Sequence, residues 1–162
     1  MKKKIIITGG LGYIGTELCK LYSGVSWNNE IIVIDNRFIS ERVNQLRNWN
    51  MQFIQGDILD EKLINKICKN ADVVHHLAGV TDVPRTESES NSKKNDHIKS
   101  VAEKGTQNIL DSISNKCKII FPSTHVVFEG IENVKNNISE EEDLKPKLSY
   151  STSKAINEKQ LK

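Results

Sequence analysis

Apolar runs punctuate the chain at Ile5-Ile6-Ile7, Ile31-Ile32-Val33-Ile34, Asp72 to Leu77 and Lys118 to Phe121, with a weaker one at Met51 to Ile54. The first, second and fourth are continuous and β-branched rather than alternating. Such runs suit strands of a parallel sheet that is covered on both faces. Helical patterns lie between them. Ile14, Leu18 and Leu21 follow a roughly 3.6-residue spacing after Gly12. Leu63, Ile64 and Ile67 follow Asp60, and Ile98, Val101, Ile109 and Ile113 fall in a longer segment from about 96 to 114. This alternation predicts right-handed βαβ units and an α/β fold, a doubly wound parallel sheet with helices on both faces. The polar stretches from Thr86 to Asp96 and from Glu129 to Lys147 are predicted to be exposed loops. The closing YSTSKAINEKQLK reads as the opening of a helix.

Composition narrows the class. A chain of 162 residues suits one domain with its own core. With 37% hydrophobic and 27% charged residues, it is a polar-surfaced globular protein rather than a disordered one. A net charge of +2 gives no basic patch for nucleic acid. No apolar run approaches the ~20 residues that span a bilayer, and MKKKIIITGG is too short in its apolar part for a secretory signal. Cys19, Cys68 and Cys117 are far apart and form no CxxC pair. They are expected as core-packing residues of a protein in a reducing cytoplasm.

The most informative segment follows the first strand. In Thr8-Gly9-Gly10-Leu11-Gly12-Tyr13-Ile14-Gly15, glycines stand at 9, 12 and 15. Gly9 would permit a tight turn, Gly12 a close backbone approach to a diphosphate, and Gly15 close packing of helix on strand. The helix that begins there presents unpaired N–H groups and the positive end of its dipole. The second strand ends at Asp35, 20 residues after Gly15, and about 20 is the spacing of a carboxylate that holds an adenosine ribose. A carboxylate accepts from the ribose 2′-hydroxyl and repels a 2′-phosphate, which favours NAD over NADP; Arg37, two residues on, pulls the other way.

These motifs resemble the extended short-chain dehydrogenase/reductase family, the NAD-dependent epimerase/dehydratase group, over essentially the whole chain. TGGLGYIG resembles the family's TGGxGxIG turn and implies cofactor contacts at Gly9, Gly12, Tyr13 and Ile14. IDN at 34–36 resembles its second strand end and implies contacts at Asp35 and Asn36. GDILD at 56–60 implies that Asp57 and Ile58 flank the adenine, and HHLAGV at 75–80 that Leu77, Ala78 and Gly79 run along the cofactor. PSTHVVF at 122–128 resembles S-[ST]-x-x-V-Y, and YSTSK at 150–154 is the family's YxxxK. The resemblance implies a Rossmann-type domain spanning residues 1–162, lacking the last strands and the carboxyl-terminal substrate domain that make family members about twice as long.

The YxxxK pair makes chemical sense unaided. Four apart on a helix, Tyr150 and Lys154 share a face. A free tyrosine, with a pKa of about 10, is a poor base at neutral pH. A nearby ammonium and a positive nicotinamide ring favour the phenolate; a drop of about three units corresponds to ~4 kcal/mol. Tyr150 could then take a proton from an alcohol while hydride leaves the same carbon. The resemblance implies that Thr124 holds that hydroxyl and that Lys154 also binds the nicotinamide ribose.

The match departs from the family at several places. The family's V-Y-G reads Val127-Phe128-Glu129, so the loop there is expected to be reshaped. Sugar-nucleotide dehydratases carry Thr-Asp-Glu where this chain has Thr124-His125-Val126, which argues against water elimination. The asparagine that precedes the family's NVxGT glycine is replaced by Ala102. DVPRTES from Asp82 resembles the VPRS stretch of several UDP-sugar 4-epimerases, with Arg85 a candidate for a substrate diphosphate. His75 and His76 point to opposite sides of a strand, and no metal site is expected. The function implied is an NAD-dependent nucleotide-sugar epimerase. A simple oxidoreductase acting on a secondary alcohol or ketone, or a shortened non-catalytic NAD-binding protein, stays open. The resemblance also implies a possible homodimer formed through a four-helix bundle.

Overall fold

The computed structural model describes residues 2–80, 91–132 and 137–162. Five strands form one parallel sheet: β1 Lys4–Thr8, β2 Glu30–Asp35, β3 Gln52–Gln55, β4 Val73–His76 and β5 Lys118–Ile120. Their order is β3-β2-β1-β4-β5. Ile6 is paired with Ile32 on one side and Val74 on the other. The order reverses at β1, where the chain crosses to β4, and this is the place where doubly wound sheets bind ligands. Every strand expected from the apolar runs is present. The expected α/β fold with a doubly wound, Rossmann-type parallel sheet is therefore observed.

Six α-helices accompany the strands among the described residues: α1 Tyr13–Tyr22, α2 Ser40–Asn48, α3 Glu61–Cys68, α4 Ser92–Ser100, α5 Thr106–Ser112 and α6 Ser149–Gln160. Helix α2 is absent from the apolar-pattern reading because only Val43 and Leu46 of SERVNQLRN are buried. The predicted loop from Thr86 to Asp96 is corrected at its end, since α4 starts at Ser92. There Asn91 caps the helix by accepting from the Lys94 amide at 2.9 Å. Asp82 and Arg85 lie outside the described residues. No helix among those described is long and apolar enough to cross a membrane.

The chain divides into two compact units. The first comprises residues 1–79 and 105–122 and holds the sheet. Ile5, Ile7, Ile31 and Val33 pack with Leu11, Cys19, Val43, Leu46 and Met51 on one face. Alternate residues serve the other face, where Ile34 and Leu63 meet over Gly56. Ile6, Ile7 and Val33 are wholly buried, and each such side chain contributes about 1.5–3 kcal/mol relative to exposure. Cys19 and Cys68 belong to this interior, and burial pushes both thiols up to about 12. These two pack the core as expected, whereas Cys117 is only partly buried.

The second unit comprises residues 80–104 and 123–162. In it α6 packs against α4 and against a short 3-10 turn, His125–Phe128. Helix α6 is a poor amphipath whose buried positions are mostly polar: Ser151, Ser153 and Asn157 beside Ala155. Each of the three polar side chains has a partner. Ser153 donates to the Tyr150 carbonyl at 2.7 Å, and Asn157 Nδ2 donates to the Ala102 carbonyl at 2.8 Å. That carbonyl belongs to a π turn, Val101–Gly105, which interrupts the helical ladder after α4. Gln160 donates to the next carbonyl, Glu103, at 3.0 Å.

Candidate cofactor and catalytic site

In the first unit the candidate cofactor residues gather at the carboxyl ends of β1, β2 and β4. Gly9 leaves β1 with φ +68, a conformation that other residues adopt only under strain. A Cβ there would sit 2.7 Å from the Ala78 amide nitrogen. The turn is fastened by the Gly9 amide donating to Ile34 O at 2.8 Å and the Gly12 amide donating to Gly9 O at 3.0 Å. Gly15 packs against this turn rather than against the strand itself, since its Cβ would lie 2.5 Å from Gly9 O. Gly10 is equally constrained: a side chain there would run into Val33 Cγ1.

Helix α1 then starts without a side-chain cap, because Gly12 occupies that position. Its first amides have no partner within the helix. Tyr13 and Ile14 are 85% and 58% exposed, so nothing in this unit covers the helix start. A Cβ on Gly12 would meet only Gly9 O at 3.1 Å and Arg37 Nη2 at 3.9 Å. An open helix start beside a bare backbone is a cradle that suits a diphosphate.

Asp35 stands beside this cradle and is buried. Its Oδ2 accepts from the Leu11 amide at 3.0 Å and from Arg37 Nη2 at 3.4 Å, and its Oδ1 from Arg37 N and Arg37 Nε, both at 3.1 Å. A carboxylate has about four lone-pair sites, so the Leu11 amide and Arg37 together engage its acceptor positions. The sequence spacing locates the acid, but the clamp on it becomes visible only in three dimensions. The Arg37 side chain is 57% exposed and has room to leave. Arg42, carried on the unforeseen helix α2, donates to the Leu11 carbonyl and braces the same turn.

The adenine-side candidates are close by. Asn36 Nδ2 donates to Asp57 Oδ2 at 3.3 Å, and Asp57 Oδ1 holds the Leu59 amide at 2.9 Å. Ile58 is buried, and its carbonyl accepts from Asn108 at 2.9 Å. Behind β4, the Leu77 amide donates to Thr8 O at 3.2 Å and the Ala78 amide to Thr8 Oγ1 at 3.1 Å, while Gly79 is exposed. Buried His76 links Thr8 Oγ1 to Thr106 Oγ1, each at 3.0 Å. His75 faces the opposite side of the strand and shares a 2.8 Å hydrogen bond with the Tyr22 hydroxyl. The two imidazoles are thus structural pins for the sheet ends. Among the described residues, no three His, Cys, Asp or Glu side chains cluster as metal ligands.

The second unit gathers the three candidate catalytic residues. Thr124 precedes the 3-10 turn and accepts from the Val126 amide at 3.4 Å. Tyr150 is the second residue of α6, the helix that packs on that turn. One turn later Lys154 sets its Nζ 5.8 Å from the centre of the Tyr150 ring. Burial lowers the Lys154 pKa below its ordinary value. The His125 side chain is exposed. Glu129 bonds to the residues around the start of α6, a contact that the pattern of motifs did not foretell.

A family model described as the 3-beta hydroxysteroid dehydrogenase/isomerase family matches residues 6–162. The chain belongs to this family, within the extended short-chain dehydrogenase/reductases. Among curated relatives, it is 33% identical over 170 residues to a dTDP-D-glucose 4,6-dehydratase of Dictyostelium discoideum, a match covering 94% of this chain and 38% of the relative. It is 30% identical to the CDP-paratose 2-epimerase of Salmonella typhi, covering 85% of this chain and 41% of that enzyme. Among solved structures, a UDP-glucuronic acid 4-epimerase from Bacillus cereus, in complex with a fluorinated UDP-sugar and NAD, superposes with a TM-score of 0.81 at 27% identity. The match covers 99% of this chain and 51% of that one. The chain therefore spans about half the length, or less, of these members of the extended short-chain dehydrogenase/reductases.

Proposed function

We propose that this chain is the cofactor-holding portion of an NAD-dependent nucleotide-sugar epimerase of the 4-epimerase type. In this reading the glycine turn and the start of α1 take the diphosphate, with Gly9, Gly12, Tyr13 and Ile14 around it. Asp35 and Asn36 take the adenosine ribose once Arg37 has moved aside, Asp57 and Ile58 flank the adenine, and Leu77, Ala78 and Gly79 follow the cofactor along β4. NAD held there would supply the acceptor for a hydride from a sugar carbon and the donor for its return to the opposite face.

The chain's own residues manage the proton. Tyr150 removes it from the sugar hydroxyl as a general base and later gives it back as an acid. Lys154, over the ring, favours the phenolate and binds the nicotinamide ribose, while Thr124 holds the substrate hydroxyl. The observation that carries the reading is the placement of Lys154 Nζ over the Tyr150 ring, on a helix packed against the turn that starts at Thr124. A relative is a dehydratase, but His125 and Val126 stand where that reaction needs an acid and a base. This favours isomerisation over elimination.

The test is Tyr150→Phe in a full-length version of the protein, assayed with UDP-glucose and UDP-galactose as probes. Wild-type protein should interconvert them without net NADH release. The variant should retain NAD binding and lose about 100-fold or more in turnover, since a positioned acid–base contributes roughly 10²–10⁴-fold. Unchanged turnover rejects the assignment of Tyr150, and stoichiometric NADH release rejects the epimerase in favour of a simple oxidoreductase.

A further inference from the structure

The family pattern has a glycine after V-Y, and this chain has Glu129. The side chain does not project idly. Its Oε1 accepts from the Lys147 amide at 2.8 Å, from the Leu148 amide at 2.7 Å and from the hydroxyl of buried Ser151. Helix α6 has no side-chain cap of its own, because Leu148 occupies the capping position. Glu129 supplies from a distant turn the negative acceptor that a helix start favours. Burial pulls its carboxyl upward, but the hydrogen bonds from Ser151, Leu148 and Lys147 outweigh this and hold it below its ordinary value.

A second tie runs beside the first. The Lys145 amide donates to Val127 O at 2.9 Å, and the Gly130 amide donates to Lys145 O at 2.8 Å. A Cβ on Gly130 would stand 2.4 Å from that carbonyl, so the two backbones are in close contact. The turn that begins at Thr124 and the segment that leads to Tyr150 are thus joined twice, once by backbone and once by a carboxylate.

We propose that Glu129 is a positioning residue: by fastening residues 147–151 to the Thr124 turn, its carboxylate sets Tyr150 relative to Thr124. This rests on the reading in which Tyr150 and Thr124 serve one substrate hydroxyl. The backbone tie keeps the unit folded without Glu129, so the side chain acts on precision. Misplacement of a reacting group by about 1 Å lowers rates by as much as ~100-fold.

The experiment compares full-length wild-type protein with Glu129→Ala and Glu129→Gln by three readouts: amide hydrogen exchange at residues 147–151, the NAD dissociation constant, and kcat and KM for UDP-glucose. In Glu129→Ala, exchange at Lys147 and Leu148 should quicken by about tenfold or more. Its kcat should fall by about tenfold or more, with KM and the NAD constant unchanged. Glu129→Gln, whose amide oxygen still accepts, should recover part of both effects. Exchange that does not change, or kcat equal to wild type, overturns the proposal. So does a parallel loss of NAD binding, which would indicate general unfolding. Wild-type protein that binds no NAD and turns nothing over rejects the functional reading itself, an outcome distinct from active wild type with an equally active alanine variant.

Discussion

At the residue scale, the decisive contact is between Asp35 and Arg37. A lone carboxylate at the end of the second strand would select the ribose hydroxyl and exclude a phosphate by charge. Here a guanidinium lies on it, with Nε 3.1 Å from Oδ1, so part of that repulsion is already neutralised and the acceptors are already engaged. In the proposed reading, NAD would exchange Arg37 for its ribose hydroxyls, and NADP would give Arg37 a second anion to face. Replacing Arg37 with leucine should therefore leave NAD affinity equal or tighter and weaken NADP affinity by about tenfold, the range of a lost charge-assisted contact of ~1.5 kcal/mol. Parallel titrations with the two cofactors measure it; an unchanged ratio would mean that Arg37 does not bear on the choice.

At the element scale, stability depends on how each helix end is closed. Helix α3 closes in the ordinary way: Asp60 accepts from the Leu63 amide at 3.0 Å. Asp60→Ala should lower stability by about 1 kcal/mol, read as a shift of the denaturation midpoint; no shift would mean water replaces the cap without loss. Such local signals explain what the sequence could disclose. Strands β1, β2 and β5 were legible because their apolar residues are continuous and β-branched, β4 and the weaker β3 only as apolar runs, and α1 and α3 because glycine or aspartate precedes a periodic stripe. Helix α2 was not, since its two buried residues make too narrow a stripe. The π turn at Val101–Gly105 was not, because the amides that complete it, Asn157 and Gln160, lie 55 and 57 residues away from their acceptors. The candidate site divides in the same manner. The glycines, Asp35 with Arg37, Tyr150 and Lys154 belong to short spacings, whereas Arg42 on Leu11 and Glu129 on α6 are contacts that only folding creates.

At the scale of the whole molecule, the sheet's buried polar pins give stability a pH dependence. His75 is 6% exposed, and burial, with the Lys118 cation second, lowers its pKa below the ordinary 6.5. The unfolded chain then binds a proton more readily than the folded one. The contribution of neutral His75 is complete above its unfolded value and is lost as pH falls through its folded value. Melting temperature should decline as pH falls below about 6.5, and less steeply in His75→Leu; equal slopes would assign the decline to other groups. The proposed function rests on one capability at this scale, a grip of the first unit on a dinucleotide. Calorimetric titration of the protein with NAD, beside an Asp35→Ala variant, tests it most directly. Saturable binding is expected, weakened by about tenfold in Asp35→Ala, equivalent to ~1.4 kcal/mol. A wild-type protein that gives no binding heat, or an alanine variant that binds as tightly, would contradict it.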